Sequence, residues 1–102
     1  MPPVKLVYTC KAEDDLDSIF AYIAEDSPTN AFNYIDKMQS AIENLIISPC
    51  MGVSCKAKGI DRDCRLLIFE KYLIFYQLDE DDSEITILRI LHGSKKYQDL
   101  LK

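Results

Sequence analysis

The side chains that could take part in chemistry lie in the second half of the chain. His92 is the one histidine, so any acid–base step that uses an imidazole must use this residue. Arg65 and Arg89 each fall in a run of strand-forming residues, and a strand gives a guanidinium a rigid base from which to meet a carboxylate or a phosphate. The tripeptide Lys95-Lys96-Tyr97 joins two positive charges to an aromatic ring, as nucleic-acid contacts often do. These residues form the candidate binding site.

Each candidate also has a structural role open to it. Arg89 has apolar neighbours in the sequence, so its side chain must either reach solvent or pair with an acid such as Asp63 or Glu84. His92 ends a strand and can instead bond the backbone at the rim of a sheet. If the pleat is regular, Arg89 and His92 point to opposite faces, because they are three residues apart. Arg65 and the basic tripeptide can equally belong to a solvated surface.

The remaining reactive residues show no recognised metal, cofactor or nucleophile pattern. The cysteines are Cys10, Cys50, Cys55 and Cys64. They contain no C-x-x-C pair and no companion histidine at ligand spacing, so we expect reduced thiols. A Cys50/Cys55/Cys64 metal site and a redox role are the alternatives. The acidic run 79–82 lacks the spacing of a calcium loop. No glycine-rich phosphate loop or catalytic triad motif is present, and the sequence predicts neither a cofactor nor a metal.

The charge of the chain is acidic overall but unevenly distributed. The net charge of −5 argues against nonspecific nucleic-acid binding. Residues 54–78 nevertheless carry five bases against three acids, and residues 89–102 carry four bases against Asp99. An acidic partner or a polyanion would meet these two segments.

Length and hydropathy predict a single cytoplasmic domain spanning residues 1–102. A chain of 102 residues with 48% hydrophobic content is long enough for one core. No apolar stretch approaches the roughly 18 residues of a membrane span. The start Met1-Pro2-Pro3 also lacks the basic and apolar order of a signal peptide. We therefore expect no membrane partner.

Two amphipathic helices are predicted after a short first strand at residues 4–9. From Glu13 onwards the spacing of Leu16, Ile19 and Ile23 is helical, and the neighbouring acids fall outside the apolar stripe. Ser27-Pro28 predicts the N-cap and first position of a second helix, which should end before Pro49. Core packing is the main interpretation of both stripes, and an exposed partner groove is the alternative.

Three strands complete the predicted fold. Residues 49–63 hold proline, glycine and alternating charge and are typical of a connecting loop. Segments 64–69, 72–78 and 84–92 are rich in Ile, Leu, Phe and Tyr and are separated by hairpin-sized connections. Residues 94–101 could add a terminal helical turn. The sequence therefore predicts an α+β, two-layer fold, β-α-α-β-β-β, with an αα-hairpin packed on a mostly antiparallel sheet.

The order and spacing of these features resemble the ParE/RelE-type toxins of type II toxin-antitoxin modules. The residues that carry the resemblance are Asp15-Leu16, Ile19, Tyr22-Ile23-Ala24, Ser27-Pro28, Ala31, Ile42, Leu45, Pro49, Gly52, Gly59-Ile60, Arg65, Tyr72, Ile74-Phe75-Tyr76 and Arg89-Ile90-Leu91-His92-Gly93. The resemblance implies a small toxin of the kind that arrests growth and stabilises plasmids. It also implies a cognate antitoxin and a toxin-antitoxin hetero-oligomer.

Within that family the chain is more similar to the ParE branch than to the RelE branch. RelE-like proteins use several cations on central strands, and the corresponding positions here are Arg65, Leu67 and Leu73. Leucines cannot stabilise the charge of a phosphoryl-transfer transition state. The resemblance to ParE implies inhibition of DNA gyrase by binding, through a surface that comprises Arg65, Arg89, His92, Lys95, Lys96 and Tyr97.

Two other functions stay open from the sequence. The first is a RelE-like, ribosome-dependent mRNA endonuclease, in which Arg65 and Tyr97 would be the catalytic residues and the ribosome the partner. The second is a non-toxic relative kept as a binding module.

Overall fold

Two helices cover one face of a mixed sheet in the computed structural model of the chain, which describes residues 5–60, 62–79 and 83–94. The elements are β1 (Lys5–Tyr8), α1 (Cys10–Ala24), α2 (Pro28–Glu43), β2 (Val53–Ser54), β3 (Arg65–Phe69), β4 (Tyr72–Asp79) and β5 (Glu84–His92), with 3₁₀ turns at Asn44–Ile46 and Lys56–Lys58. The strand order is β1-β5-β4-β3-β2. β1 runs parallel to β5, and the other neighbours are antiparallel. The predicted α+β, two-layer architecture is confirmed.

Side-chain caps fix where the helices begin. Ser27 Oγ accepts a hydrogen bond from the Asn30 N–H at 3.2 Å, with Pro28 at the first helical position, as predicted. Thr9 Oγ1 accepts from the Ala12 N–H at 3.1 Å. Because Thr9 supplies this cap, α1 begins at Cys10, three residues before the predicted start.

The segment predicted as a loop, residues 49–63, contains a short edge strand. In β2, Val53 pairs with Leu66 and Ser54 pairs with Arg65. The element order therefore gains one strand relative to the prediction. Two residues are too few to show the alternation of apolar and polar side chains that identifies a strand in a sequence.

The sheet has a separate apolar core on each face. The first core lies under the helices and includes Met38, Ile42, Leu45, Ile74, Tyr76, Ile85, Ile87 and Ile90. The second core comprises Cys55, Ile60, Cys64, Leu66, Phe75 and Leu91. β5 contributes to both cores, as a central strand with apolar side chains on both faces does.

A disulfide joins Cys55 to Cys64, with the sulfurs 2.03 Å apart, so the expectation of reduced thiols was wrong for these two residues. The Cys55 N–H donates to the Cys64 carbonyl at 2.9 Å. This bond brings the Cα atoms to 5.3 Å, which is within bridging range. Cysteine spacing does not predict such a pair, because the residues between the two cysteines determine whether the chain turns back and brings them together. Cys10 and Cys50 are free and exposed.

The structure gives no support to the alternative metal site. Two of its three proposed ligands, Cys55 and Cys64, are joined to each other. Within residues 5–60, 62–79 and 83–94, no group of three or more His, Cys, Asp or Glu side chains is placed to hold a metal ion. In the same ranges, none of the helices has the length and apolarity needed to cross a bilayer.

Candidate functional site

The carboxylate of Asp15 joins α1 to the central strand. Its Oδ2 accepts from Arg89 Nε at 2.8 Å and from the Ile90 N–H at 2.9 Å, and its Oδ1 accepts from Arg89 Nη2 at 3.0 Å. The fork of Arg89 is thus bound in the bidentate geometry that guanidinium and carboxylate groups favour. This hydrogen bonding raises the pKa of Arg89.

The edge of β5 explains why Asp15 lies there. β1 pairs with β5 only up to Ile87, after which the chain turns into α1. The Thr9 hydroxyl then donates to the Leu88 carbonyl at 2.9 Å, and Asp15 accepts the next free strand N–H, that of Ile90. The first turns of α1 therefore take over from β1 as the hydrogen-bonding neighbour of the strand.

The internal partner of Arg89 was predicted incorrectly. Asp63 and Glu84 were the acids suggested from the sequence, whereas the structure pairs Arg89 with Asp15, which lies 74 residues away in the chain. From the sequence, Asp15 lies outside the apolar stripe of its helix with the neighbouring acids. No local pattern distinguishes it from Asp14 or Asp17, because its role depends on where β1 ends.

His92 lies at the end of β5 in a polar and aromatic setting. Its Nδ1 is 2.7 Å from Ser94 Oγ and accepts from the Ser94 N–H at 3.1 Å. Because a backbone N–H can only donate, Nδ1 carries no proton in this arrangement, and the ring proton is on Nε2. The ring meets Tyr72 edge to face, with centroids 5.4 Å apart. Burial raises the pKa of Tyr72.

His92 and Asp15, the partner of Arg89, line a groove beside α1, which we call the α1 groove. Its volume is about 320 Å³, and it is lined by Asp15, Ser18, Ile19, Tyr22, Tyr72, Ile90, Leu91 and His92. The walls are mainly apolar, and Tyr22 is 73% exposed. Such a groove suits an apolar or aromatic side chain of a protein partner, with the His92 ring at one end as a hydrogen-bonding group.

Arg65 lies in a different cleft, which we call the Arg65 cleft. This cleft measures about 570 Å³ and is lined by Cys50, Asp63, Cys64, Arg65, Gln77, Leu78, Asp79, Glu84 and Thr86. The Arg65 Nη1 donates to the Gly52 carbonyl at 2.9 Å. The two sites share no lining residue, so the structure does not bring Arg65 together with Arg89 and His92.

The other proposed positions fall in two groups. Leu67 packs against the first core and Leu73 against the second, so these two side chains lie on opposite faces of the sheet and do not converge on one site with Arg65. Lys95, Lys96 and Tyr97 lie outside the described residues. Asp15, Tyr72 and Ser94 also belong to the site and were not predicted from the sequence. Tyr72 and His92 are neighbours because of the sheet register, which pairs these two residues across β4 and β5.

Comparison with known proteins places this architecture in a family. Residues 6–97 match the family described as the ParE toxin of the type II toxin-antitoxin system, parDE. The solved chromosomal ParDE system from P. aeruginosa is similar in fold, with a TM-score of 0.70 and 24% sequence identity over 87% of this chain and 95% of that one. The RelBE2 toxin-antitoxin complex from Mycobacterium tuberculosis gives a TM-score of 0.54 and 16% identity over 93% and 97%. No curated protein sequence matches significantly.

Proposed function

Because the chain belongs to the ParE toxin family of type II toxin-antitoxin systems, we propose that it stops growth by binding DNA gyrase. We further propose that a cognate antitoxin neutralises it by binding the folded domain in a hetero-oligomer. The two solved structures described above are of toxin-antitoxin systems, which supports such a partner. Gyrase acts in the cytoplasm, and we place the protein there.

The observation that favours binding over RNA cleavage is the surroundings of Arg65. A phosphoryl-transfer transition state needs several cations that converge on one phosphate. Among the positions that would supply them, Leu67 and Leu73 pack into different cores. Arg65 shares its cleft with Asp63, Asp79 and Glu84, whose carboxylates oppose the approach of a polyanion.

We assign the gyrase-binding surface to the end of β5. His92 is partly exposed there, and the chain continues from it into Lys95, Lys96 and Tyr97. Arg89 is held by Asp15, so we give it the role of a positioning residue that fixes the strand end beneath His92. Arg65 lies in the separate Arg65 cleft, and we leave it out of this surface.

The test is to induce the chain alone in a bacterial host and to follow growth, the DNA-damage response and transcript integrity in one culture. We expect growth arrest with DNA damage and intact mRNA, and relief of the arrest by the cognate antitoxin. Purified protein should inhibit supercoiling by gyrase. Codon-positioned mRNA cuts would contradict the proposal and favour an endonuclease that uses Arg65 and Tyr97. Unimpaired growth would favour a non-toxic binding relative.

Matched variants locate the surface. We expect Lys95→Ala/Lys96→Ala, combined with His92→Ala, to abolish arrest and supercoiling inhibition while the protein stays folded. Lys56→Ala/Lys58→Ala removes the same number of lysines from an exposed turn elsewhere and should leave both activities unchanged. Equal loss of activity in the two sets would show that general positive charge, rather than the end of β5, carries the binding.

A further inference from the structure

The sheet face opposite the helices is covered by a small segment of the chain. Residues 55–60 and 62–64, which we call the cap, lie over this face between β2 and β3. Beneath the cap, Leu66, Phe75 and Leu91 are at most 4% exposed. Three apolar sheet residues thus depend on this segment to keep them from water.

Buried side chains, hydrogen bonds and the disulfide hold the cap in place. Ile60 and the two cysteines are buried in the second core, whereas residues 56–59 are exposed. Several backbone hydrogen bonds run within the cap, including Ile60 N–H to the Cys55 carbonyl at 3.0 Å. Gln77 Nε2 donates to the Asp63 carbonyl at 3.0 Å and ties the cap to β4. Covalent closure of such a segment lowers the conformational entropy that it loses on folding.

The disulfide supplies that closure and can be reached from one side. Cys55 has no exposed surface, whereas Cys64 is 5% exposed and lines the Arg65 cleft. Because Cys64 alone of the pair has exposed surface, we expect an attacking thiolate to reach its sulfur first, with Cys55 as the leaving group. Thiol–disulfide exchange requires such access to one sulfur.

We propose that the Cys55–Cys64 disulfide is a redox switch that fastens the cap, and that its reduction by a dithiol uncovers the apolar sheet face. One thiolate of the dithiol attacks Cys64 Sγ, and the released Cys55 thiolate takes up a proton. The second thiol of the reductant then displaces Cys64, which is also protonated. The dithiol leaves as a disulfide, and the protein gains two electrons and two protons.

The switch is independent of which target the toxin binds. Disulfides in a reducing compartment are usually transient or redox-sensing. With the proposed cytoplasmic location, the oxidised and reduced forms would present different surfaces to a partner. In the reduced form, Leu66, Phe75 and Leu91 become exposed to solvent. They then form an apolar surface that the oxidised form does not present.

The test compares the oxidised full chain with the same protein treated with dithiothreitol. We expect the number of titratable thiols to rise from the two of Cys10 and Cys50 to four. Binding of an apolar dye should increase severalfold. Hydrogen exchange should accelerate in peptides covering residues 55–64, and peptides from α1 and α2 should keep their protection. Reduction with unchanged dye binding and unchanged exchange in the cap would overturn the proposal.

Two sets of variants separate the switch from general effects of cysteine replacement. Cys55→Ala/Cys64→Ala should show the dye binding and exchange of the reduced form without any reductant, with the helical circular dichroism retained. Cys10→Ser/Cys50→Ser should respond to dithiothreitol as the original chain does. Should Cys55→Ala/Cys64→Ala still respond to the reductant, another group must be the switch.

The direction of attack is tested on the oxidised chain itself. When it reacts with a limiting amount of a monothiol and is quenched with acid, we expect the mixed disulfide on Cys64, the member of the pair that has exposed surface. A mixed disulfide on Cys55 would overturn this direction of attack.

Discussion

At the scale of single residues, the carboxylate of Asp15 satisfies three donors at once. Its side chain is 14% exposed and that of Arg89 is 18% exposed, so neither group has free access to water. Removing the carboxylate would leave a guanidinium and the Ile90 N–H without their partner. Losses of this kind are among the more costly single substitutions.

We expect Asp15→Ala to lower the free energy of unfolding by about 3 kcal/mol. Asp17→Ala is the matched control, because it removes an exposed acid from the same helix and should change stability by less than about 0.5 kcal/mol. Urea denaturation of both variants measures the difference. Similar losses of unfolding free energy in the two variants would show that Asp15 contributes only its negative charge on the helix and not its bonds to Arg89 and Ile90.

Tyr8 gives the fold a dependence on alkaline pH. Burial and the nearby Glu43 raise the pKa of Tyr8 from 10.0 to about 12. Between these values the unfolded chain has lost the phenol proton while the folded chain retains it, so stability falls as the pH rises through this window. Below pH 10 the phenol is neutral in both states and the penalty is absent.

Tyr8→Phe should therefore lose less stability than the original chain between pH 10 and pH 12. Tyr22→Phe removes a tyrosine that is 73% exposed and should follow the original chain. Denaturation midpoints measured across this range test the prediction. Parallel curves for the original chain and Tyr8→Phe would contradict it.

A feature of a single residue could be predicted when the residues that interact are close together in the sequence. Ser27-Pro28 was identified correctly because a helix cap acts within three residues. The partner of Arg89 was not, because the choice among the many acids depends on the path of β1 and α1. Periodicity placed Asp15 on the polar side of α1 but contained no information on what that side faces.

At the scale of elements, the approach to β2 is anchored on a buried tyrosine. Tyr76 is fully buried, and its hydroxyl accepts from the Gly52 N–H at 3.0 Å and donates to the Pro49 carbonyl at 2.8 Å. A Cβ at Gly52 would lie 2.6 Å from the Leu66 carbonyl oxygen and 2.8 Å from the Tyr76 hydroxyl. This position therefore requires glycine because of close approach.

Gly52→Ala should destabilise the protein by about 1–3 kcal/mol, because β2 must shift away from β3 or the tyrosine must move. Gly93→Ala is the matched control, since a Cβ there would lie 3.4 Å from its nearest neighbour, the Lys71 carbonyl oxygen. We expect a clearly smaller effect at Gly93. Chemical denaturation of both variants measures the free energy of unfolding. Equal losses in the two variants would argue against a role for close approach at Gly52.

The longer elements were predicted well because their sequence patterns are long. Strands predicted at 64–69, 72–78 and 84–92 correspond to β3, β4 and β5 within one residue. The edge strand β2 was missed because pairing of Val53 and Ser54 with β3 is a tertiary event. α1 begins earlier than predicted because Thr9, which caps it, also ends β1.

At the scale of the whole molecule, two long helices cover one face of the sheet and a short disulfide-closed segment covers the other. The helices cover one face with a long amphipathic hairpin, which the apolar stripes predicted. The cap covers the other with a segment whose ends are nine residues apart in sequence and joined by a disulfide. Its role was not predictable, because neither its buried residue Ile60 nor its cysteines form a periodic pattern.

Removing the disulfide should weaken the whole fold. For Cys55→Ala/Cys64→Ala we expect a loss of about 2–3 kcal/mol, the closure entropy of a short loop. Cys10→Ala/Cys50→Ala removes two exposed thiols and should cost much less. Guanidinium denaturation under oxidising conditions measures both. A smaller loss in Cys55→Ala/Cys64→Ala than in its control would show that the cap is held by packing alone.

The position of β5 also determines when during protein synthesis the fold can form. β5 lies between β1 and β4, yet in chain order it follows every other strand of the described residues. Until the ribosome has translated residue 84 and beyond, β1 has no neighbour and Asp15 has nothing to bind. Such long-range pairing is slow to form. The nascent chain therefore cannot complete its sheet, or the Asp15–Arg89 pair, before β5 has been translated.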